Sequence, residues 1–235
     1  KPITPPLSGD VDALRQVNLL VDYSLFRETI ADKKSVVILG SGLIGCEFAN
    51  DLSAAGHQVK LISMEDTPLL RQVPAEIGNN LQEAFSQAGI EWHLGEIATS
   101  VSKTENGVTL AMKSGKTVSA DCALCAIGIA PDLTLARNAG LKTKQGIVVN
   151  EFMQSSDPDI YAVGDCIEFD GRVEPFIAPL LLCARTLAKN LANPGTTTSI
   201  SYPVMPVTIK TPLYPVVCAV PLTGTKGCWS CETVE

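Results

Sequence analysis

Three glycines spaced two and three residues apart interrupt an apolar stretch early in the chain. The stretch is Gly40-Ser41-Gly42-Leu43-Ile44-Gly45. Gly40 permits a tight turn, Gly42 lets the backbone approach a pyrophosphate, and Gly45 lets the next helix lie close to the preceding strand. The helix would begin at Leu43 and Ile44, where free backbone N–H groups would face the phosphates. The pattern predicts a dinucleotide site, and a turn that serves packing alone is the alternative.

The residues after the second strand bear on which dinucleotide binds. An acidic residue about 20 positions after the glycines usually holds the ribose hydroxyls of NAD. Here the strand ends at Ser63, and Glu65 follows with Asp66 beside it. Lys60 lies within the strand and Arg71 is a turn further along, so no basic side chain is expected to hold the 2′-phosphate of NADP. We therefore expect Glu65 to bind the ribose of NAD, and a solvated acidic loop is the alternative.

Two cysteine pairs have a spacing that occurs in metal and redox sites. Cys122 and Cys125 lie in a strand-like run, where positions i and i+3 face opposite sides. Cys228 and Cys231 have thioredoxin-like spacing but lack the surrounding βαβ pattern. The pairs are about 100 residues apart, whereas a zinc ribbon separates its pairs by about 15–20 residues. We expect no metal site, and a redox or metal role of the second pair is the alternative.

The other cysteines are isolated, and none has a nearby histidine that would make it a nucleophile. They are Cys46, Cys166, Cys183 and Cys218. We expect cysteine to serve mainly as a small buried apolar residue in this chain.

Composition narrows the class of protein. Hydrophobic residues are 46% and charged residues 18% of the 235, which is typical of a globular chain. The net charge of -7 argues against nucleic-acid binding, which needs a basic face. The longest apolar segment, 177–182, is far shorter than the ~20 residues of a membrane span, and the N-terminus lacks the apolar core of a signal peptide. We expect a cytoplasmic protein with no membrane span.

The elements that must position the glycines alternate between strand and helix. Apolar residues at helical spacing after the turn (Ile44, Phe48, Ala49 and Leu52) predict a buried helix face. The order β-α-β-α-β predicts a parallel sheet with right-handed connections. The expected elements are helix 22–31, strand 59–62, helix 74–88, strand 90–94, short antiparallel strands at 97–103, 108–112 and 117–119, and a buried strand at 123–127.

The fold class expected is α/β, with a Rossmann-like domain, a parallel sheet and an antiparallel meander. That domain should occupy 31–146, after a Pro-rich crossover at 1–20. A strand at 160–163 and a helix at 177–191 should follow, then a linker at 192–196 and a strand at 206–210 that begins something new.

Three motifs in this order resemble those of the FAD-dependent pyridine nucleotide–disulfide oxidoreductases. They are GSGLIGCE at 40–47, CAIGIAPD at 125–132 and SSDPDIYAVGDC at 155–166. Within that superfamily, GLIGCEFANDL at 42–52, APLLLCARTLAKNLA at 178–192 and MPVTIKTP at 205–212 are most similar to rubredoxin–NAD reductases. The resemblance covers nearly the whole chain. It implies an enzyme that passes electrons from NADH through FAD to rubredoxin, a small iron–sulfur carrier.

The resemblance implies four segments and a role for particular residues. Residues 1–30 and 147–195 would be parts of an FAD-binding domain, 31–146 the NAD-binding domain and 196–235 the start of a C-terminal interface domain. The glycine turn would bind the NAD pyrophosphate, and Gly128 would let the backbone approach the nicotinamide half.

The remaining roles concern the flavin. Glu47 would pair with a lysine near flavin N5 and seat the nicotinamide, so that hydride passes from nicotinamide C4 to flavin N5; an acid that stabilises the helix dipole is the alternative. Gly164 and Asp165 would bind FAD, and a helix N-cap is the alternative for Asp165. Ala178, Pro179 and Lys210 would lie near the flavin ring, and an exposed strand lysine is the alternative for Lys210.

The sequence departs from the resembling enzymes in one respect. They hold FAD chiefly on an N-terminal GxGxxG unit, which these residues do not include. Relative to such enzymes, about 100 residues, the length of a typical domain, are absent from this sequence. We therefore expect weak FAD binding by these residues alone. The electron acceptor stays open, since ferredoxin reductases, the NADH subunit of nitrite reductase and NADH oxidases share the motifs. An NAD-binding module without turnover is the remaining alternative.

Overall fold

The computed structural model describes residues 1–193, 195, 197–219 and 226–232. These fall into two compact units, one with residues 2–128 and 206–235 and the other with residue 1 and residues 129–205. The expected linker at 192–196 lies partly outside the described residues, and the helix before it ends at Ala192. Which cofactor each of the four sequence segments serves stays a prediction.

The described residues form both β-strands and α-helices. The strands are β1 (Ser8–Gly9), β2 (Leu14–Arg15), β3 (Ser35–Leu39), β4 (Gln58–Ile62), β5 (Glu91–His93), β6 (Ala98–Lys103), β7 (Val108–Met112), β8 (Thr117–Ala120), β9 (Cys122–Cys125), β10 (Ile147–Val149), β11 (Ile167–Phe169), β12 (Val207–Ile209) and β13 (Val216–Cys218). The α-helices are α1 (Leu20–Ile30), α2 (Leu43–Ala54), α3 (Ala75–Gln87), α4 (Thr134–Asn138) and α5 (Ile177–Ala192).

A parallel sheet is the centre of the larger unit. Its strand order is β2-β9-β3-β4-β5, and every neighbouring pair is parallel. The strand β3 is continuously apolar from Val36 to Leu39 and buried there, as expected for a strand covered on both faces. The predicted α/β class with a parallel sheet is confirmed.

The strand β9 shows how the two faces of this sheet are used. Cys122 and Leu124 belong to the core cluster that contains the α2 and α3 side chains, whereas Ala123 and Cys125 belong to the cluster on the opposite face. Successive side chains of a strand point to opposite faces, so the two cysteines of this Cys-x-x-Cys pair are separated by the sheet. Both are free and buried, as the sequence predicted.

The opposite face is covered by the predicted meander. β6, β7 and β8 pair antiparallel, and β1 joins the edge of β6 in parallel. The buried side chains Val101, Leu110 and Val118 come one from each meander strand and pack in the same cluster as Cys125. The Pro-rich start of the chain therefore contributes two short strands, β1 to the meander and β2 to the parallel sheet.

The C-terminal part of the larger unit is a short antiparallel hairpin. β12 and β13 pair from Val207↔Cys218 to Ile209↔Val216. Ile209, Val216 and Cys218 are buried in the same cluster as α2 and α3 side chains. The strand expected at 206–210 is thus β12, and its buried side chain Ile209 packs in the core of the larger unit.

The smaller unit has one long helix and a two-stranded parallel sheet, β10 with β11. Cys183 and Leu187 of α5 pack with Val149, Met153 and Ile167. The strand expected at 160–163 is wrong. The Ser155 N–H donates to the Ile160 carbonyl (2.9 Å) and the Ala162 N–H to that of Met153 (3.0 Å), so a tight loop takes its place. Its apolar side chains are partly exposed, which explains why no sheet extends through them.

Candidate functional site

Three turns of the larger unit meet at one edge of the parallel sheet. Leu39, at the end of β3, pairs with Ile62 of β4 on one side and Cys125 of β9 on the other. Because the strands are parallel, the residues that follow them emerge at the same edge. The glycine turn from Gly40, the acidic loop with Glu65 and the segment that ends at Gly128 therefore lie side by side.

Two of the three glycines are required by the fold itself. Gly40 has a φ of +107°, a region that favours glycine, and a Cβ there would lie 2.5 Å from the Ala126 carbonyl oxygen. A Cβ on Gly45 would overlap the Gly40 carbonyl oxygen. The first turn of α2 thus passes directly over the glycine turn, and only hydrogen atoms fit between them.

Gly42 differs from its neighbours. A Cβ on Gly42 would have no atom within 4 Å, and the backbone there is extended, with φ of -77° and ψ of -170°. The fold therefore tolerates a side chain at this position, and the open space is what a close-fitting ligand would fill. A pyrophosphate that approaches the backbone at the second glycine would need such an open space.

The start of α2 offers backbone donors to that space. Gly42 is the N-cap residue and supplies no side chain to accept from the first-turn N–H groups, which belong to Leu43, Ile44 and Gly45. Ile44 is 53% exposed, so its expected place on the buried face of the helix is wrong. Gly45, Cys46, Ala49 and Leu52 form that face, because the glycine turn brings the opposite side of the first turn against the sheet.

Polar contacts that the sequence did not indicate stiffen the same edge. The Ser41 hydroxyl donates to the Ser63 hydroxyl at 2.8 Å, and both side chains are buried. The Leu69 N–H donates to the Ser41 carbonyl at 3.0 Å. Leu69 is fully buried with a φ of +57°, an unusual conformation for leucine that the surrounding packing must maintain. Periodicity carries no signal for such contacts, although Ser63 is conspicuous as a serine where an acid is usual.

Glu65 lies at the edge next to these serines, and its N–H donates to the Ser63 hydroxyl at 3.2 Å. The Nε of Arg71 donates to Glu65 Oε1 at 2.7 Å. Arg71 reaches back to Glu65 because residues 66–70 form turns and bends and not a helix. The carboxylate is largely covered while the guanidinium is mostly exposed.

Glu47 and Lys210, predicted separately, are in contact. Glu47 lies in the second turn of α2 and its Oε1 accepts the backbone N–H of Lys210 at 2.9 Å. One turn further, the buried Asn50 accepts the Leu213 N–H through Oδ1 at 3.1 Å. No acid occupies the first turn of α2, so the role of Glu47 as a dipole-stabilising acid is not supported. The Lys210 side chain is exposed.

Gly128 continues from β9 at the same edge. Its φ of +120° favours glycine, and its carbonyl accepts the Ile3 N–H at 3.0 Å. The nearest atom to a Cβ there would be Ile3 Cδ1 at 3.5 Å, which is an ordinary contact. The conformation, and not crowding, is what requires glycine at this position.

The remaining predicted residues lie in the smaller unit. Gly164 has a φ of +97°, and a Cβ there would lie 3.7 Å from Leu180 in the first turn of α5. The Gly164–Asp165 turn is thereby beside the helix start that carries Ala178, which is exposed, and Pro179, which is buried. Asp165 is exposed and is followed by β11 and not by a helix, so the N-cap alternative for Asp165 is wrong.

Within the described part of the chain, no group of three or more histidine, cysteine, aspartate or glutamate side chains is placed to hold a metal ion. No helix among the described residues has the length and apolar character needed to cross a bilayer.

Taken chemically, the edge of the larger unit is suited to an extended anionic ligand. The uncapped N–H groups at the start of α2 favour negative charge at the glycine turn. The carboxylate of Glu65 lies at the neighbouring strand, where it can accept hydrogen bonds from hydroxyl groups. A phosphate-linked ribose compound matches both features.

Comparison with known proteins agrees with this arrangement. Residues 1–180 match the family model of pyridine nucleotide-disulphide oxidoreductases, and residues 199–235 match that of the rubredoxin binding C-terminal domain. A rubredoxin-NAD(+) reductase from Alcanivorax borkumensis is 43% identical over 97% of this chain and 60% of its own length. The protein of that name from Acinetobacter baylyi is 45% identical over 89% of this chain and 54% of its own length.

A solved structure gives the same result at the level of the fold. The ferredoxin reductase from Rhodopseudomonas palustris superposes with a TM-score of 0.74 and 31% identity, over 80% of this chain and 48% of that one. The chain thus spans between about half and 60% of the length of these relatives. Because the family model covers residues 1–180, with the glycine turn, Glu47 and Asp165 among them, the chain belongs to the pyridine nucleotide-disulphide oxidoreductase family.

Proposed function

We propose that this chain is the NADH-binding portion of a flavoprotein reductase that passes electrons from NADH through FAD to rubredoxin. The observation that carries the proposal is the open cradle at Gly42, between two glycines that the fold requires and beside the uncapped start of α2. The two relatives named above are rubredoxin-NAD(+) reductases. Both are longer than this chain, so the complete reaction belongs to the whole protein.

The preference for NADH follows from the neighbouring strand. Glu65 would accept hydrogen bonds from the adenosine ribose hydroxyls, and its negative charge would repel the 2′-phosphate of NADPH. Arg71 neutralises part of that charge through its 2.7 Å contact. We infer discrimination in favour of NADH that is weaker than an unpaired acid would give.

The chain's own residues would hold the nicotinamide half in place. Gly128, with its left-handed conformation, keeps the end of β9 free of side-chain atoms where the ring would approach. Glu47 is fixed by its bond to the Lys210 N–H, which leaves Oε2 without that constraint. When bound, FAD would supply the chemistry that accepts a hydride and releases single electrons. Gly164, Asp165 and the start of α5 are the residues of the smaller unit that would contribute to holding it.

Rubredoxin is proposed as the acceptor because residues 199–235 match the rubredoxin binding C-terminal domain. Within this segment β12 and β13 are anchored on their inner side by Ile209 and Val216, while Thr208 and Val217 are exposed. A second candidate acceptor is a ferredoxin, since the similar structure from Rhodopseudomonas palustris is a ferredoxin reductase.

The first test is NADH binding, which is measured by fluorescence titration of the purified chain. Gly42→Val should weaken NADH binding on the order of 100-fold, equivalent to about 2.7 kcal/mol, and leave the thermal unfolding midpoint unchanged. Gly227→Val is the matched control, because a Cβ there also meets nothing within 4 Å and Gly227 has no positive φ. Unchanged NADH affinity in Gly42→Val would refute the site.

Acceptor choice needs a second measurement. Calorimetric titration of the chain with oxidised rubredoxin should give a dissociation constant, and titration with a [2Fe–2S] ferredoxin should give none. Binding of the ferredoxin alone would replace rubredoxin by the second candidate. A visible spectrum of the purified chain, recorded before and after anaerobic NADH, would show whether these residues hold FAD unaided.

We propose a cytoplasmic location, which is supported by the eight cysteines being free.

A further inference from the structure

A buried asparagine in α2 has no role in the nucleotide site. Asn50 is 3% exposed and lies on the same helix face as Cys46 and Ala49, which are fully buried. Asparagine is a poor residue for a helix interior, and burying its amide without partners costs free energy. Asn50 is ~10 Å along the helix axis from Leu43, so it does not hold a phosphate at the glycine turn. Its place in the core needs another explanation.

The amide of Asn50 binds the backbone of a distant segment. Its Oδ1 accepts the Leu213 N–H at 3.1 Å, and its Nδ2 donates to Asp51 Oδ1 at 3.3 Å. Glu47 is three residues earlier, and therefore on the same side of the helix, and it accepts the Lys210 N–H at 2.9 Å. Two side chains of α2 thus bind two N–H groups of the segment that joins β12 to β13. We call this segment, residues 210–215, the hairpin turn.

The hairpin turn is also closed from within. Thr211 is 1% exposed, and its hydroxyl donates to the Tyr214 carbonyl at 2.7 Å. The Tyr214 N–H donates to the Thr211 carbonyl at 2.9 Å. In addition, Asn80 Nδ2 of α3 donates a longer bond to the Tyr214 hydroxyl, at 3.4 Å. The hairpin turn is therefore fastened to α2 at two points and to α3 at a third.

The side chains between these anchors face solvent. Lys210, Pro212 and Leu213 are exposed, whereas Thr211 among them is buried. A cation, a proline and an apolar side chain are thus presented together, and the backbone N–H groups of two of them are bonded to α2. The hairpin turn lies within residues 199–235, which match the rubredoxin binding C-terminal domain. The exposed side chains of the turn are therefore available to a protein partner.

We propose that Asn50 is a positioning residue for docking of rubredoxin. It fixes the hairpin turn so that Lys210 and Leu213 keep the positions that rubredoxin contacts, and it takes no part in NADH binding. The inference rests on the proposed function, because it takes rubredoxin as the electron acceptor. Of the two anchors on α2, Asn50 is the one enclosed by the core. Water can replace a lost acceptor at the partly exposed Glu47, but it cannot do so at the buried Asn50.

Two substitutions of Asn50 test the proposal in the full chain. Asn50→Leu has a side chain of similar size without the acceptor oxygen, and Asn50→Asp keeps that oxygen. We expect Asn50→Leu to weaken rubredoxin binding about tenfold, as measured by calorimetric titration. NADH affinity, measured by fluorescence titration, should stay within about twofold of the parent value. Amide hydrogen exchange at Leu213 should become about tenfold faster. Asn50→Asp should restore both the rubredoxin affinity and the slow exchange.

Two further variants separate this role from general effects on the fold. Asn79→Leu makes the same change at an exposed position of α3 and should behave as the parent chain. Thr211→Val removes the hydroxyl that closes the hairpin turn and leaves α2 unchanged. It should also weaken rubredoxin binding and spare NADH binding. If Asn50→Leu does not fold, Thr211→Val decides the question.

Three results would overturn the proposal. The first is unchanged rubredoxin affinity in Asn50→Leu or Thr211→Val despite faster exchange in the hairpin turn. The second is unchanged exchange at Leu213 in Asn50→Leu. The third is an equal loss of NADH and rubredoxin affinity, which would make Asn50 a support of α2 as a whole. A parent chain that does not bind rubredoxin is a distinct result, since it would refute the proposed acceptor and the docking role with it.

Discussion

The sheet edge of the larger unit and the Gly164–Asp165 turn of the smaller unit carry motifs of equal clarity in the sequence, yet they are built differently. At the sheet edge, Gly40 and Gly45 are enclosed by backbone, and Ser41 is bonded to two neighbouring segments. At the other site, Gly164 meets a single side-chain atom at 3.7 Å and Asp165 is exposed. The glycine turn is thus fixed by the surrounding backbone, whereas the Gly164–Asp165 turn is less enclosed.

The largest effect is expected where the fold itself needs glycine. Gly45→Ala places a Cβ against the Gly40 carbonyl, so α2 must move away from the turn. We expect a loss of about 3 kcal/mol in the free energy of unfolding together with loss of NADH binding. Urea denaturation measures the first quantity. Gly42→Ala should cost less than about 0.5 kcal/mol, and equal costs for the two variants would break the comparison.

The opposite edge of the same sheet supplies a pH-dependent test. The Oδ2 of Asp121 accepts the N–H groups of Lys34 at 2.7 Å and Ser35 at 2.9 Å, and these bonds lower its pKa. Asp121→Ala should cost about 2 kcal/mol at pH 7.

The sign follows from the direction of that shift. A carboxylate whose pKa is lowered on folding stabilises the protein above its unfolded pKa of about 3.9, and this contribution is lost as pH falls through the folded pKa. The stability difference between parent and Asp121→Ala should therefore shrink below pH 4. A stability difference that stays constant down to pH 2 would contradict the role assigned to the Asp121 carboxylate.

Nucleotide preference tests the role of Glu65, which lies at the same edge of the sheet as the glycine turn. Glu65→Ala removes the acid and frees the Arg71 guanidinium from its 2.7 Å contact. We expect the ratio of NADPH to NADH affinity to rise about tenfold, or 1.4 kcal/mol, as measured by paired titrations. Glu65→Ala combined with Arg71→Ala should give a smaller rise. The same ratio in both variants would show that Arg71 takes no part.

A smaller effect is expected at the contact between α2 and the C-terminal segment. Glu47→Ala removes the acceptor of the Lys210 N–H, at a cost of about 1 kcal/mol. Amide hydrogen exchange at Lys210 should become about fivefold faster, while Glu47→Gln, which keeps an acceptor oxygen, should exchange nearly as the parent chain does. Equal rates in all three proteins would remove Glu47 from this role.

The smallest effect is expected at the Gly164–Asp165 turn of the smaller unit. Asp165→Ala should change the free energy of unfolding by less than about 0.5 kcal/mol, because the side chain is exposed. NADH affinity should also be unchanged. A destabilisation above about 1 kcal/mol would show that the turn is built into its unit as firmly as the glycine turn.

These two regions also show what the sequence could and could not reveal. The order of elements, the parallel sheet and the opposite faces of Cys122 and Cys125 follow from local periodicity, and the structure confirms them. Local patterns do not encode how a loop curls back. The Arg71–Glu65 contact, the bond from Leu69 to Ser41 and the tight loop in place of a strand at 160–163 therefore needed the tertiary structure. Ile44 is exposed and not on the expected buried face, because α2 packs so closely over the glycine turn that the opposite side of its first turn faces the sheet.

The contact between Glu47 and residue 210 is made to a backbone N–H, so the side chain at position 210 does not take part in it. Any residue other than proline can occupy this position and keep the anchor. The exposed surface of the segment can therefore change its charge during evolution while its attachment to α2 stays the same. If that surface selects the electron acceptor, a lineage could exchange one carrier protein for another by substitutions that carry little cost in stability.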